Sequence, residues 1–365
     1  MNRPFTIIAG QFPPPVNGFA YITQEITNAL SGSHETTVID IAPHYPKNGA
    51  PYHLRRLSLT LKGFWPVLRG CLHTKRRFYV ACEGGLGLVY TLMLCAVARI
   101  LGFSLYIHHH SFSYIEDFSL LMASLLCVMG KRATHIFLCP LMAQRFADRY
   151  QRRVKTIVLS NSAFVDAEHA APRSWQVGQP LVIGLLSNLN DEKGLGAFLD
   201  ILHSSASETL NIKGVLAGPP VSDEARNKIA NAKFKLGDRL DYRGPVYGKD
   251  KSVFFQSIDL FIYATKKDAQ PMVIFEAMAH GVPILSFDRG CIKGQVDTCG
   301  AVFGRDDDFI PFALDWIKKH MNSPHILNEL QHVTKSTFIE DRAQARQTLE
   351  MLFELDPHIV QPSRD

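Results

Sequence analysis

Two carboxylates, Asp268 and Glu276, stand eight positions apart in the stretch KKDAQPMVIFEAMAHGVPILSF, from Lys266 to Phe287. Between them lie the Gln270-Pro271 pair and a short apolar run. Pro271 suits the first turn of a helix, where a missing N–H is no loss. Gly281 suits the left-handed position that closes the helix, and Pro283 bars its continuation. A helix starting there turns unpaired N–H groups toward the loop carrying Asp268, a site for phosphate or another anion. Glu276, one to two turns in, can accept hydrogen bonds from a polyhydroxylated ligand. It lies in the apolar run FEAMA, where a carboxylate without a partner is costly. The other candidates are three successive histidines, His108, His109 and His110, at the end of a strand pattern. Open α/β sheets bind ligands at the carboxyl ends of their strands. A metal centre is not implied: adjacent strand residues point to opposite faces, and no partners stand at ligand spacing.

An alternation of strands and helices positions these residues. Phe5–Ala9 reads as a strand, followed by the breaker-rich loop GQFPPPVNG ending at Gly18 and a helix over Phe19–Leu30. Strands are predicted at Thr36–Ile41, Phe78–Cys82, Phe103–Ile107, His135–Cys139 and Thr156–Ser160. The second half repeats the pattern. Leu181–Leu186 is a strand, Ser187 to Gly194 a polar loop and Leu195–His203 a helix. Strands Gly214–Ala217 and Leu260–Tyr263 follow, then helices at Asp307–His320, Ile326–Ser336 and Asp341–Leu355. This predicts an α/β protein of two Rossmann-like, doubly wound domains facing a cleft. The linker is expected in the Pro-, Ala- and Gly-bearing text around 170–180. The first domain is then 1–172, the second 178–335, and 336–365 a C-terminal helix packing back toward the first domain.

The 365 residues carry a formal charge of +5, unevenly placed. Residues 1–170 hold 17 Lys and Arg against 9 Asp and Glu, and residues 171–365 hold 22 against 25. An anionic partner is implied for the first half. Tyr52–Arg77 is basic and aromatic, with Arg55, Arg56, Lys62, Trp65, Arg69, Lys75, Arg76 and Arg77 among Leu and Phe. Part of it can form an amphipathic helix resting on anionic headgroups, or equally a solvated face over core leucines. No nucleic-acid module is present, so no nucleic-acid partner is expected. Leu86–Ile107 is the most apolar stretch, but Arg99 and Gly102 interrupt it, which favours a helix and a strand over a membrane span. The seven cysteines show no CxxC pair and no framework spacing.

In this order, several segments resemble the GT-B glycosyltransferases of the retaining family 4 (glycosyl transferases group 1). They are PPPVNG, LSN at 159–161, LLSNLNDEKG, RGPV, FFQSIDLFIYAT and the Asp268–Glu276 stretch, which is similar to the E-x7-E motif with Asp in the first place. The resemblance covers almost the whole chain and is strongest from Leu181 to Phe287. It implies hexosyl transfer from a nucleotide-sugar with retention at the anomeric carbon, and neither metal nor cofactor. It implies that Glu276 holds the ribose hydroxyls and that Asp268 lies near the donor sugar. Backbone at Pro271, Met272 and Val273 meets the sugar or diphosphate, and Lys193 neutralises the leaving group as Gly18 approaches it. Asn188 stands where many relatives carry Arg, so Arg243 or Arg289 is expected to supply that cation, with Val246 beside the donor. His110 is placed near the reacting centre, with His109 as second candidate there. Glycan or lipid-linked acceptors, bacterial cell-surface polysaccharide synthesis, and a cytoplasmic place at the inner face of the membrane follow from the family's habits. Two other readings fit the same residues, a non-catalytic sugar-nucleotide sensor or scaffold and a nucleotide-sugar epimerase.

Overall fold

The structure, a computed structural model, describes residues 3–14, 17–44, 49–168, 171–304 and 308–354. Part of the Pro-rich first loop (15–16), the expected helix start at Asp307 and the chain end from 355 lie outside the described residues. The chain divides into two compact units, residues 1–164 with 343–365, and residues 165–342.

In the first unit the chain runs β1 (Phe5–Gly10), α1 (Gly18–Ser31), β2 (Glu35–Asp40), α2 (Gly49–Gly70), β3 (Arg76–Cys82), α3 (Gly87–Ile100) and β4 (Ser104–His109). It continues through α4 (Ser113–Glu116), α5 (Leu120–Met129), β5 (Thr134–Phe137), α6 (Pro140–Tyr150) and β6 (Lys155–Val158). The six strands are parallel, in the order β2-β1-β3-β4-β5-β6. β1 is buried at every residue, as a parallel strand covered on both faces must be. The order reverses between β1 and β3, so the loops after these two strands diverge and leave a crevice at the sheet's carboxyl edge. α1 opens at that edge, capped by the Asn17 side chain, which accepts from the Ala20 N–H at 2.9 Å.

The second unit runs β7 (Leu181–Leu186), α7 (Leu195–Ser207), β8 (Ile212–Ala217), α8 (Asp223–Leu236), β9 (Leu240–Tyr242), α9 (Lys249–Gln256) and β10 (Leu260–Tyr263). Then come α10 (Met272–Ala279), β11 (Ile284–Phe287), α11 (Ile292–Val296), β12 (Gly300–Phe303), α12 (Phe309–Met321) and α13 (Pro324–Phe353). Its six parallel strands are ordered β12-β11-β10-β7-β8-β9, and the reversal falls between β7 and β10. Val165 is buried in this unit's core, so the stretch from 165 belongs here and not with the first domain as expected.

Two expectations change. The helices expected at Ile326–Ser336 and Asp341–Leu355 are one 30-residue helix, α13, since no Gly or Pro stands between them to break it. Its residues from 343 belong to the first unit, where Phe353 packs on Tyr79 and Tyr106 and Arg346 donates to the Ala163 carbonyl at 3.1 Å. The basic run 52–77 also divides. Arg56 is buried and holds Glu83 through both guanidinium nitrogens at 2.6 and 3.1 Å. Arg76 donates to the carbonyls of Cys71 and His73, and Arg77, on β3, pairs with Glu354 at 3.1 Å. Three of the run's arginines thus serve the fold.

The first unit also buries His108, His109 and His135 almost completely, and burial is the largest cause lowering each imidazole's pKa. His135 falls to about 4. These rings stay neutral in the native state while the unfolded chain takes up protons below its pKa near 6.5. Stability is therefore present above that pH and lost as pH falls below it. The loss is about 2 kcal/mol per histidine at pH 5. Asp259, raised to about 6 by burial in the second unit, works in the opposite sense with a single proton. Guanidinium unfolding at pH 7 and pH 5 should show a loss of several kcal/mol, and equal stability would mean the histidines charge without unfolding the unit.

Candidate active site

In the second unit the loops after β7 and β10 face each other across the strand reversal. The β7 loop closes with a short turn over Asp191–Lys193, capped by Asn190, whose side-chain oxygen accepts from the Lys193 N–H at 2.8 Å. Gly194 follows at φ +90°, and a Cβ there would lie 2.9 Å from the carbonyl of Ala264, just beyond β10. Only glycine lets the two backbones come this close. The Lys266 N–H donates to the Glu192 carbonyl at 2.8 Å, and the Thr265 hydroxyl donates to the same oxygen at 3.2 Å.

Docked in this way, the loops bring Lys193 and Asp268 together. Lys193 Nζ donates to Asp268 Oδ2 at 2.6 Å and to the Lys267 carbonyl at 3.2 Å. The Tyr263 hydroxyl donates to the same carboxylate oxygen at 3.1 Å. Burial, then the Asp268 charge, raises the Tyr263 pKa well above its ordinary value, so the phenol keeps its proton and remains a donor. The pair is half-buried, and its atoms can still be reached by a ligand.

Pro271 is the N-cap of α10, with φ −70° and ψ 127°, one residue outside the helix it was expected to begin. Met272 and Val273 open the helix, and its first N–H groups have no intrahelical acceptor. The Pro271 carbonyl is fixed by Gln295, which donates to it at 3.0 Å. Gly281, at φ +71°, ends the helix: its N–H donates to the Met278 carbonyl at 2.8 Å, and that of Val282 to Ala277 at 3.0 Å. Glu276 has the partner that its apolar surroundings demanded. Lys251 of α9 donates to both carboxylate oxygens at 2.7 and 3.0 Å. The DKSVFF text does not single out Lys251, and from sequence Tyr263 is only a strand residue.

The remaining second-unit candidates stand on the β7 loop and on the segment after β9. Asn188 is exposed in the β7 loop, and Asn190, not Asn188, caps the lysine's turn. Arg243 follows β9, two strand spacings or about 10 Å from β7. It is held by Asp241 at 2.9 Å and by the Ser257 hydroxyl at 3.0 Å. Val246 packs half-buried on the unit's core. In the first unit, Gly18 opens α1, and the next residue, Phe19, meets His110 edge-on with ring centres 5.0 Å apart. Burial pushes the His110 imidazole down to about 3, so it is neutral near pH 7. His109 lies in the core, with Nδ1 3.0 Å from the Tyr114 hydroxyl and Nε2 3.0 Å from His135 Nδ1. Both its ring nitrogens are engaged.

A cation, a carboxylate and a helix N-terminus at a strand reversal suit an anion whose charge grows during reaction. The arrangement depends on Gly194. Gly194→Ala should cost about 1–3 kcal/mol through its left-handed backbone alone, with further loss from the Ala264 clash. Denaturant unfolding measures this, and an unchanged midpoint would show that the loop can shift without cost.

Residues 180–312 match the family model described as Glycosyl transferases group 1. Comparison with curated protein sequences finds no match. Solved structures share the fold over nearly the whole chain. HepE of Anabaena, in complex with UDP and glucose, superposes with a TM-score of 0.68 at 15% identity, covering 96% of this chain and 99% of that one. A glycosyltransferase from Rickettsia africae gives 0.69 at 12% identity, with both chains covered completely at 100%. WaaG, a glycosyltransferase involved in lipopolysaccharide biosynthesis, gives 0.65 at 13%, covering 95% and 99%. The two six-stranded parallel sheets with their flanking helices are the GT-B architecture; the stretch matching the glycosyl transferases group 1 model lies in the second unit, and the enzyme type is a glycosyltransferase.

Proposed function

We propose that this chain is a retaining, family 4 type glycosyltransferase, moving a hexose from a nucleotide-sugar to a glycan or lipid-linked acceptor in bacterial cell-surface polysaccharide synthesis. The observation that carries the transfer chemistry is the Lys193–Asp268 pair at the strand reversal, with the start of α10 on the same loop. The HepE complex with UDP and glucose supports a nucleotide-sugar donor, and the description of WaaG supports a cell-surface glycan as product. The acceptor's setting is the cytoplasmic face of an anionic membrane.

On this reading Glu276 takes the ribose hydroxyls, using lone pairs that Lys251 leaves open, and the two hydrogen bonds from Lys251 keep the carboxylate oriented. Asp268 meets hydroxyls of the donor sugar. Lys193 exchanges Asp268 for the diphosphate, joined by the Met272 and Val273 N–H groups, so no metal or cofactor is required. The bond from the anomeric carbon to the diphosphate oxygen breaks as the acceptor oxygen bonds to that carbon from the same face. The departing phosphate takes the acceptor's proton, and configuration is retained.

Lys193→Ala removes the leaving-group cation. Turnover of a nucleotide-sugar should fall about 10²–10³-fold or more, in EDTA as without it, while thermal unfolding of the variant stays close to that of the parent. Near-normal turnover would take Lys193 out of the reaction, and a product with inverted anomeric configuration by NMR would refute retention.

A further inference from the structure

Helix α2 turns an apolar stripe outward. Leu54, Leu57, Leu61, Trp65 and Leu68 follow one another at intervals of three and four, which gathers them within an arc of roughly 80°. Leu54 is 66% exposed, Leu61 50% and Trp65 65%. The opposite side of the helix, with Tyr52, Arg56, Thr60, Gly63, Val67 and Gly70, is the one buried in the first unit. A soluble helix has the reverse polarity, with its apolar stripe inward. The stripe continues at its start into a shallow groove of about 310 Å³ formed with α3, lined by Ala50, His53, Leu54, Leu57, Val89 and Tyr90.

The helix's charges run beside the stripe. Arg55, Lys62 and Arg69 are exposed and recur every seven residues, so they form a single row along one flank. No Asp or Glu occurs from Gly49 to Gly70. A second copy or another protein at such a face would have to bring its own acids to match this row. A membrane of anionic lipid supplies them at any point, together with an apolar boundary about 5–10 Å deep for the leucines and a headgroup layer for Trp65. Among the described residues no helix is long and apolar enough to cross a membrane, so the contact is one of lying on the surface.

We propose that α2 is the membrane-docking face of the chain, with Leu54, Leu57, Leu61, Trp65 and Leu68 at the acyl boundary and Arg55, Lys62 and Arg69 against headgroup phosphates. This rests on the membrane part of the proposed function and names its surface. It assigns docking to the exposed stripe, and it leaves out Arg56, Arg76 and Arg77, which are engaged within the fold.

The test needs neither donor nor acceptor, so a failure of the transferase chemistry leaves it unaffected. The full chain is mixed with vesicles of phosphatidylcholine containing about a third phosphatidylglycerol, with and without brominated acyl chains. Trp65 is one of three tryptophans, and of the others Trp175 is buried. Binding should shift its emission to the blue, and brominated lipid should quench a component that Trp65→Phe lacks. Leu61→Asp with Trp65→Ala should weaken sedimentation with vesicles about tenfold or more, and Arg55→Glu with Lys62→Glu should do so most at low salt. Sedimentation no better with anionic than with neutral vesicles would overturn the proposal. So would Trp65 emission that brominated lipid leaves unquenched. A blue-shifted Trp65 without lipid, lost together with self-association in Leu61→Asp, would assign the face to a second copy and overturn it equally.

Discussion

The constraint on which the second unit depends is the contact between the turn after β7 and the backbone leaving β10. These strands are neighbours because the chain, having laid β8 and β9 on one side, returns to build β10 and β11 on the other. Their loops therefore diverge from adjacent positions, and something must tie them. Gly194 does so by lying against Ala264, and the Glu192 carbonyl does so by accepting from Thr265 and Lys266. The Lys193–Asp268 pair is a consequence of that contact. A half-exposed pair of this kind contributes at most about 1 kcal/mol to stability, too little to hold two loops. Because it is weak, the proposed exchange of Asp268 for a phosphate costs Lys193 little, while Tyr263 keeps Asp268 in place.

The two lysines of this unit do different work for the same reason. Lys193 pairs with a carboxylate that has a second donor, so removing the lysine leaves Asp268 still bonded. Lys251 is bonded to both oxygens of Glu276, whose neighbours in FEAMA are buried. The helix N-terminus cannot serve Glu276, which is the fifth residue of α10, beyond the first turn where the dipole is felt. The demand for a local cation was visible in the sequence as an acid inside an apolar run. Its source was not, because α9 reaches α10 only through tertiary packing, and DKSVFF has the same look on any solvated helix.

That difference marks how far the sequence carried. Alternating apolar runs and breakers were enough to predict ten of the twelve described strands, β11 among them in the helix–turn–strand unit from Pro271 to Phe287, because burial on both faces writes an unbroken apolar run; β9 and β12, three and four residues long and partly exposed, carry no such run. Strand order was beyond it, and so was the contact of Gly194 with Ala264, which joins residues seventy positions apart. The triplet His108–His110 shows the same limit. Alternation along a strand separates His109 from its neighbours, but which side would be lined by Tyr114, His135 and Phe137 depends on how β4 sits among β3 and β5. Arg56 looked like its neighbour Arg55 in the text; one helical position separates a buried ion pair from an exposed cation.

That one position also connects α2 to the crevice of its own sheet. Arg56 is 3% exposed and grips Glu83 with a bidentate fork, while its guanidinium carbon lies 4.5 Å from the centre of the Tyr90 ring. Glu83 directly follows β3, one of the two strands that flank the reversal in the first sheet. A buried pair of this kind adds little net stability, but breaking it strands a charge, so it fixes geometry more than it adds free energy. The inward side of α2 is thus keyed to the carboxyl edge of the first sheet, and its outward side carries the leucines and Trp65. In the proposed orientation, a membrane that holds the outward side sets the height of that edge above the lipid through a single rigid contact. Loss of the Arg56–Glu83 pair would leave the stripe intact and the lipid contact possible, but the sheet edge would no longer be held at a defined distance from it.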